Sequence, residues 1–478
     1  MLNVRYVYAE HDVSQGKFRQ YIAGMLDHET WRPAALTADR SFAQMAGLPD
    51  SESIGPLNTR YRRGSGVTGR GTGDVFFRPG ALVFITNVRE PRRPEDRFNY
   101  EIMESSPVFG RVRLREGILV GIVSRGDVDI DEALQGFLQA FENQAEARVD
   151  EKLEFDWTPI DLDSPRLEKL LEKLNTDTAA ARFSTPDLND EALRGASVLS
   201  GKPNRELLRE LSEAGFGRVA DILARRGDKK EEVQSALAEL AQAGLTHAEV
   251  LLVCKATSAP LARFSEAEEV KSEPIASVRC GKCPRTYSQE LVSEGYSVSP
   301  LGRSLAQGSH WMTVWVTSRL VDLGIPLTSI VWNLEDSGEE VDIIIEFMGK
   351  LWIFELKDRE FGPGDAHPFN YRRVRYGADE AFVITTDKVS ADARRVFGDL
   401  ASGRAGTTTP IIIEGLENVE KEIRKRLEAA YLIRALEALV MPSLMVGYKL
   451  DAVAAEWLPS NSIPSSVARR VSEMYYYY

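Results

Sequence analysis

Two carboxylates and a lysine fall where a pair of strands would bring them to one point. The segment 338–357, GEEVDIIIEFMGKLWIFELK, reads as two strands joined by a turn. Asp342 lies on the first strand, and Glu355 and Lys357 lie two residues apart on the second. Side chains two apart on a strand share a face, so Glu355 and Lys357 converge while Phe354 and Leu356 face the other way. Asp342 reaches the same point across the hairpin. Two carboxylates beside a lysine make a site for a hard divalent cation and an activated water. The charges are embedded among Leu351, Trp352, Ile353, Phe354 and Leu356. Unpaired charge in such surroundings is costly, so a strand this apolar has a reason to carry it.

The order of the flanking elements extends the pattern. His310-Trp311-Met312 opens a helical run that ends at Leu323-Gly324, and a strand and the turn Asp336-Ser337-Gly338 lead into Glu339-Glu340-Val341-Asp342. After the lysine, 381–386 reads as a strand and 390–397 as a helix with Ser390 as its cap. Asp342, twelve intervening residues and then Glu355-Leu356-Lys357 resembles the D-(x)n-E-x-K signature of the PD-(D/E)xK nuclease superfamily. The order of elements over 309–414 is similar to the nuclease domain of Mrr-type restriction enzymes and of CRISPR ancillary nucleases that carry a sensor domain. The resemblance implies a restriction-endonuclease-like α/β core, a central mixed sheet flanked by helices. It implies Mg²⁺ or Mn²⁺ held by Asp342, Glu355 and a backbone carbonyl near Leu356, with Lys357 positioning or deprotonating the attacking water. Relatives usually carry a further Glu on the first helix, just after the Trp-Met position, where this chain has Thr313. Glu340, two residues before Asp342 on the same strand, is the candidate replacement. The implied activity is metal-dependent endonucleolytic hydrolysis of nucleic acid, DNA in the first instance, as an effector in prokaryotic defence. The alternative is an inactive nuclease-fold subunit that binds nucleic acid or scaffolds a defence or repair complex.

At 478 residues the chain has room for two to four domains. It is 43% hydrophobic and 27% charged, an ordinary balance for a globular protein, and it has no apolar run of membrane-spanning length. Three cysteines exclude a disulfide framework, and the first residues lack a secretory pattern, so the expected setting is the cytoplasm with no membrane partner. A net charge of −13 repels nucleic acid overall, so binding would need local basic patches. Three are present. The stretch 59–79, TRYRRGSGVTGRGTGDVFFRP, offers Arg62, Arg63 and Arg70 as phosphate contacts or is simply a solvated loop. Its Gly71-Thr72-Gly73 is not a phosphate-binding loop, because no Gly-Lys-Ser/Thr follows. A second stretch, 89–97, adds further arginines. NYRRVRY at 370–376 interleaves Arg372, Arg373 and Arg375 with aromatics just beyond the lysine, and these three are expected to contact nucleic acid.

The chain divides into an α/β N-terminal domain of unknown role at 1–150, a linker at 151–195 containing one helix, a helical winged-helix-type module at 196–305, the nuclease-like domain at 306–415 and a helical region at 416–478. The last contains a long amphipathic helix over 417–439, expected to pack on the nuclease-like domain, with a partner-binding helix as the alternative. Within the middle module, Cys280-Gly-Lys-Cys283 lacks the second pair that would make a zinc signal strong. Only Cys254, His247 or His310 remain to complete a ligand set. The pair reads as two unbonded thiols or a remnant ribbon, with zinc at Cys280 and Cys283 as the alternative. Cutting both strands of a duplex calls for two sites, so a homodimer, or incorporation into a larger complex, is expected.

Overall fold

A computed structural model describes residues 2–10, 28–50, 73–88, 117–126, 130–149, 155–160, 165–177, 181–336, 339–403, 409–446 and 448–457. The chain forms two compact units, Met1–Ser164 with Arg424–Tyr478, and Pro165–Ile423. The arginine-rich stretches at 59–79 and 89–97, with Arg62, Arg63 and Arg70, lie largely outside the described residues, as do the turn residues Ser337 and Gly338.

The first unit is built on an antiparallel sheet of β1 (Leu2–Glu10), β2 (Gly73–Arg78), β3 (Ala81–Val88), β4 (Gly117–Arg125) and β5 (Trp157–Pro159), in the order β2-β3-β4-β1-β5. The strands predicted at 3–8 and 81–88 are both present. β3 and β4 carry the continuous apolar runs 81–85 and 118–120, which is what the middle of a sheet covered on both faces requires. One face packs on α1 (His28–Met45) and α2 (Asp131–Val149), where Val7, Val83, Ile85, Val120 and Ile122 meet Ala34, Ala38 and Phe42 of α1 and Phe137 and Phe141 of α2. The alanines on α1 let that helix approach the strands closely. Arg78 and Asp39 are paired in this interior, with the guanidinium over the Phe42 ring.

The second unit opens with α3 (Arg166–Asp177) and β6 (Arg182–Ser184). It continues through α4 (Asp190–Leu199), α5 (Lys202–Ala214), β7 (Gly217–Arg218), α6 (Val219–Arg225), α7 (Lys230–Gln242), β8 (Thr246–Val253), β9 (Pro260–Phe264), β10 (Leu291–Val298) and α8 (Pro300–Ala306). The predicted module at 196–305 is thus a cluster of helices on a four-stranded sheet of order β7-β10-β8-β9. Local chemistry sets its ends. Asn189 caps α4 by accepting from the Ala192 N–H at 2.8 Å, and Ser299 caps α8 by accepting from Gly302 at 2.9 Å. Gly215 ends α5 at a φ of 71°, where a side chain would be strained.

The remainder comprises α9 (His310–Asp322), β11 (Ile330–Asp336), β12 (Glu339–Phe347), β13 (Lys350–Lys357), α10 (Pro363–Arg375), β14 (Glu380–Thr385), α11 (Ala391–Gly403) and β15 (Ile411–Glu414). The sheet runs β15-β14-β13-β12-β11-β6 and is mixed: β13, β14 and β15 are parallel, and β13, β12, β11 and β6 alternate. Its core gathers Ile344, Ile353, Phe361, Phe369, Val383 and Phe397. Ser390 caps α11 as predicted, accepting from Ala393 N at 3.2 Å.

Two sequence expectations need correction. From Pro165 onward the segment read as a linker belongs to the second unit. Leu167 and Leu174 of α3 are buried in the core of the mixed sheet, and β6 extends that sheet by pairing with β11. The proline spacing and charge of 151–195 obscured this, because β6 is three exposed residues whose order comes from its partner strand. The C-terminal helix also packs elsewhere. In α12 (Val419–Val446) and α13 (Leu450–Glu456), the residues Leu432, Leu436, Leu439, Leu450 and Val453 are buried against Leu2, Tyr6, Leu82, Phe84, Leu119 and Val123 of the N-terminal sheet. Tyr6 Oη donates to the Ala438 carbonyl at 2.6 Å. The second face of that sheet is as apolar as the first and has to be covered by something. Among the described residues, no helix is long and apolar enough to cross a membrane.

Candidate functional site

The mixed sheet brings Asp342, Glu355 and Lys357 together by opening around one residue. β12 and β13 pair from Phe347↔Lys350 up to Ile343↔Phe354, and the ladder stops there. On the other side of β12, β11 pairs at Trp332↔Ile343 and Leu334↔Val341 and omits the intervening position. Asn333, opposite Asp342, has a φ of 50°, a left-handed conformation that asparagine tolerates better than most residues. Both neighbours thus release β12 at Asp342. The carboxylate takes up the free valence, with Oδ2 accepting the Leu356 N–H at 2.6 Å.

Glu355 is almost wholly buried, at 3% exposure. Its Oε1 is 2.8 Å from Lys357 Nζ, the same-face contact expected from their spacing. Its Oε2 lies 3.1 Å from Nη2 of Arg372, without the alignment of a hydrogen bond. Burial, reinforced by the neighbouring Glu355 charge, pushes the Asp342 carboxyl up to about 7, against the pull of Lys357 and the Leu356 N–H. Burial draws the Lys357 ammonium down, but Glu355 and Asp342 outweigh it and leave the group above its ordinary value. Two carboxylates that repel one another, both hard oxygen donors, suit a small divalent cation. Asp342 and Glu355 are the side chains here that could hold such a cation.

The other expected residues are distributed unevenly. Glu340 is exposed on β12, on the same face as Asp342, and its charge adds to the upward push on Asp342. Thr313 is buried on α9. The three arginines of NYRRVRY do not form a phosphate-binding stripe. Arg372 and Arg373 are buried, and Arg375 is tied to Asp336 and donates to Tyr371 Oη at 3.0 Å. Arg372 instead belongs to the cluster itself, between Glu355 and, at 3.7 Å, Glu339. The exposed large hydrophobic residues of this helix are Tyr371 and Val374, and Arg375 beside them is exposed as well.

Around the cluster lies a further layer of paired charge. Asp365, at the start of α10, holds Arg359 through both guanidinium nitrogens at 2.8 and 2.9 Å and accepts from Gly362 N. Asp358, next to Lys357, pairs with Arg205 at 3.0 Å and with Arg209 at 3.1 Å, both from α5, and accepts from Thr386 Oγ1. Arg205 also lies over the Trp311 ring at 5.1 Å. The pairing of Arg205 and Arg209 with Asp358 is not legible in the sequence, because the partners lie about 150 residues apart.

The cysteine pair has company that the sequence only half suggested. Cys254, Cys280, Cys283 and Glu290 place their ligand atoms within 4.8 Å of one another. Neither His247 nor His310 is in this group; His310 packs edge-on against Trp332.

No family model matches the chain, and no curated protein matches it. Among solved structures, protein VC1899 from Vibrio cholerae is similar at a TM-score of 0.29 and 14% identity, over 56% of this chain and 58% of that one. A protein of unknown function, AF1548, is similar at a TM-score of 0.18 and 17% identity, over 34% of this chain and 92% of that one. The chain therefore spans little more than half the length of the first of these.

Proposed function

We propose that Pro165–Ile423 houses a metal-dependent nuclease whose working residues are Asp342, Glu355 and Lys357. The observation that carries this reading is the opened ladder around Asp342. A sheet gives up backbone pairing on both sides of one carboxylate and aims it at a buried glutamate and a lysine. Asp342, Glu355 and the Leu356 carbonyl would hold the cation. When bound, Mg²⁺ or Mn²⁺ supplies positive charge against the phosphodiester as charge builds on it. Lys357 orients a water by hydrogen bonding and adds positive charge on the attacking side. The water oxygen bonds to phosphorus, the phosphorus–oxygen bond to the departing strand end breaks, and a proton passes to that leaving oxygen. Glu355 keeps Lys357 in place at 2.8 Å.

Under this reading the helices α5, α6 and α7 with the β8–β10 strands are a winged-helix-type nucleic-acid-contacting module. Exposed Tyr371 then stands in for the arginines as the aromatic contact of α10. DNA is the proposed substrate and defence the proposed setting, the latter by analogy of architecture. A second reading, binding without cutting, is favoured by Thr313 at the usual helix-glutamate position and by the guanidinium of Arg372 beside Glu355.

The deciding experiment incubates the full chain with linear, circular and single-stranded DNA and with RNA, with Mg²⁺ or Mn²⁺. Metal-dependent cutting that disappears in Asp342→Ala, Glu355→Ala supports the nuclease reading. Full cutting by that double variant overturns it. Salt-sensitive binding with no cutting under any condition selects the second reading.

A further inference from the structure

β8 and β10 pair along their whole length, from Thr246↔Val298 to Val253↔Leu291, and of the connection between them, 254–290, only β9 is held by the sheet, through its pairing with the other edge of β8. Hairpin connections are ordinarily short, and a long one needs its own source of order. This one contains β9, a short helix at Ala267–Lys271 and single turns, and its sequence, from Lys271 on SEPIASVRCGKCPRTYSQE, is polar. Its buried residues are few: Val270, Ala276 and Cys280, with Cys254 and Glu290 at the neck. A lobe of this size with so little apolar matter lacks a core that could hold it.

The two ends of the neck and the knuckle meet at one point. Cys254 directly follows β8, Glu290 directly precedes β10, and Cys280 and Cys283 come from the lobe between them. Cys254, Cys280 and Glu290 are buried, all three thiols are free, and the four ligand atoms lie mutually within 4.8 Å. We propose that Cys254, Cys280, Cys283 and Glu290 form a structural zinc site that ties this lobe to the end of the β8–β10 hairpin.

The chemistry of the donors selects the metal. Thiolates are poor ligands for Mg²⁺ and Ca²⁺ and good ones for zinc. A tetrahedral zinc with sulfurs at about 2.3 Å sets those sulfurs roughly 3.8 Å apart, inside the observed spread. Four protein ligands close the coordination shell, which marks a structural rather than a catalytic ion. The surrounding hydrogen bonds already orient the donors. Lys282 N–H points at Cys280 Sγ at 3.4 Å. Lys255 N–H donates to Glu290 Oε2 at 2.6 Å, which leaves Oε1, 2.7 Å from Cys283 Sγ, as the carboxylate oxygen turned to the sulfurs. Such outer-shell bonds fix a ligand's direction before the ion arrives. The site is independent of the Asp342–Glu355 pair and of whether that pair cuts nucleic acid.

The test measures metal in the full-length chain purified under reducing conditions without chelator. The expected content is about one zinc per chain. It is retained in the Asp342→Ala, Glu355→Ala variant and falls more than about tenfold in Cys280→Ser, Cys283→Ser. Replacing zinc by Co²⁺ in the unmutated chain gives the visible absorption of a tetrahedral thiolate site, so the result does not depend on a variant that might misfold. Glu290→Cys, which makes all four donors thiolates, retains the metal and intensifies the sulfur charge-transfer band. A reduced chain that neither carries zinc nor takes up Co²⁺ overturns the proposal. So does stoichiometric zinc that survives loss of both knuckle cysteines.

Discussion

Arg372→Ala tests whether the arginine beside Glu355 occupies the place of a cation. Arg372 is 6% exposed and Glu355 3%, so the substitution strands a buried carboxylate with one partner, Lys357, at 2.8 Å. Removing one member of a buried ion pair costs about 3–5 kcal/mol, and the remaining lysine argues for the lower figure, about 3 kcal/mol. For a unit of this size that corresponds to a fall of roughly 6–12 °C in its unfolding midpoint. The assay is calorimetric unfolding in the presence of chelator, then with increasing Mn²⁺. A cation at about a hundred times its dissociation constant returns about 2.7 kcal/mol, so Mn²⁺ recovers most of the loss. The unmutated protein gains less, because its guanidinium competes for the same oxygen. In a cycle with Glu355→Gln, the double variant is expected to lose at least about 1 kcal/mol less than the sum of the single losses, as residues in contact do. A change within about 0.5 kcal/mol for Arg372→Ala, the size of an ordinary surface substitution, refutes the reasoning. Equal stabilisation of both proteins by Mn²⁺ refutes it as well.

Other consequences are measurable. A fragment beginning at Pro165 is expected to fold more stably than one beginning at Ala196, which lacks Leu167, Leu174 and β6; equal urea midpoints would contradict the assignment of α3 and β6 to the second unit. Glu414 accepts from Val389 N at 2.7 Å and pairs with Arg394 at 2.7 Å, and these hold its carboxyl below the ordinary range. Because its folded value lies below its unfolded one, its contribution is complete above the ordinary glutamate range near about 4.3 and is lost as pH falls through the folded value. The melting difference between Glu414→Gln and the parent is therefore expected to shrink on acidification below that range, and a difference independent of pH argues against the pairing. If the chain pairs with itself to cut both strands, light scattering at micromolar concentration gives twice the 53.3 kDa chain mass, and a value at the chain mass removes the homodimer.

Much of the candidate cluster was legible because a strand has only one periodicity. Two-residue spacing put Glu355 and Lys357 on one face, and their 2.8 Å contact follows from it. In NYRRVRY, position outweighs charge. Phe369, Arg372, Arg373 and Tyr376 fall at the intervals of a helix's inner stripe, and all four are buried, while Tyr371 and Val374 face out. An arginine on a buried stripe beside an acidic cluster is a partner for a carboxylate. Glu290 is not legible as a ligand, because a lone glutamate beside a cysteine pair carries no spacing signal. Its closeness to Cys254 arises from the β8–β10 pairing, which joins residues far apart in the chain. The destination of α12 was equally hidden, since an amphipathic helix announces that it has an apolar face but not which surface will receive it.

The make-up of the first unit bears on the order in which the protein can form. Leu2, Tyr6, Leu82, Phe84, Leu119 and Val123 are made early, and the helical residues that cover them begin only at Leu432. As the chain leaves the ribosome, the whole of Pro165–Ile423 must be synthesised while that apolar sheet face waits uncovered. Domains made first usually fold first during synthesis. Here the unit begun first is completed last, which leaves its sheet open to chaperones or to unwanted association throughout translation. Interrupted translation downstream of Ile423 would then release chains with a finished second unit and an unfinished first one.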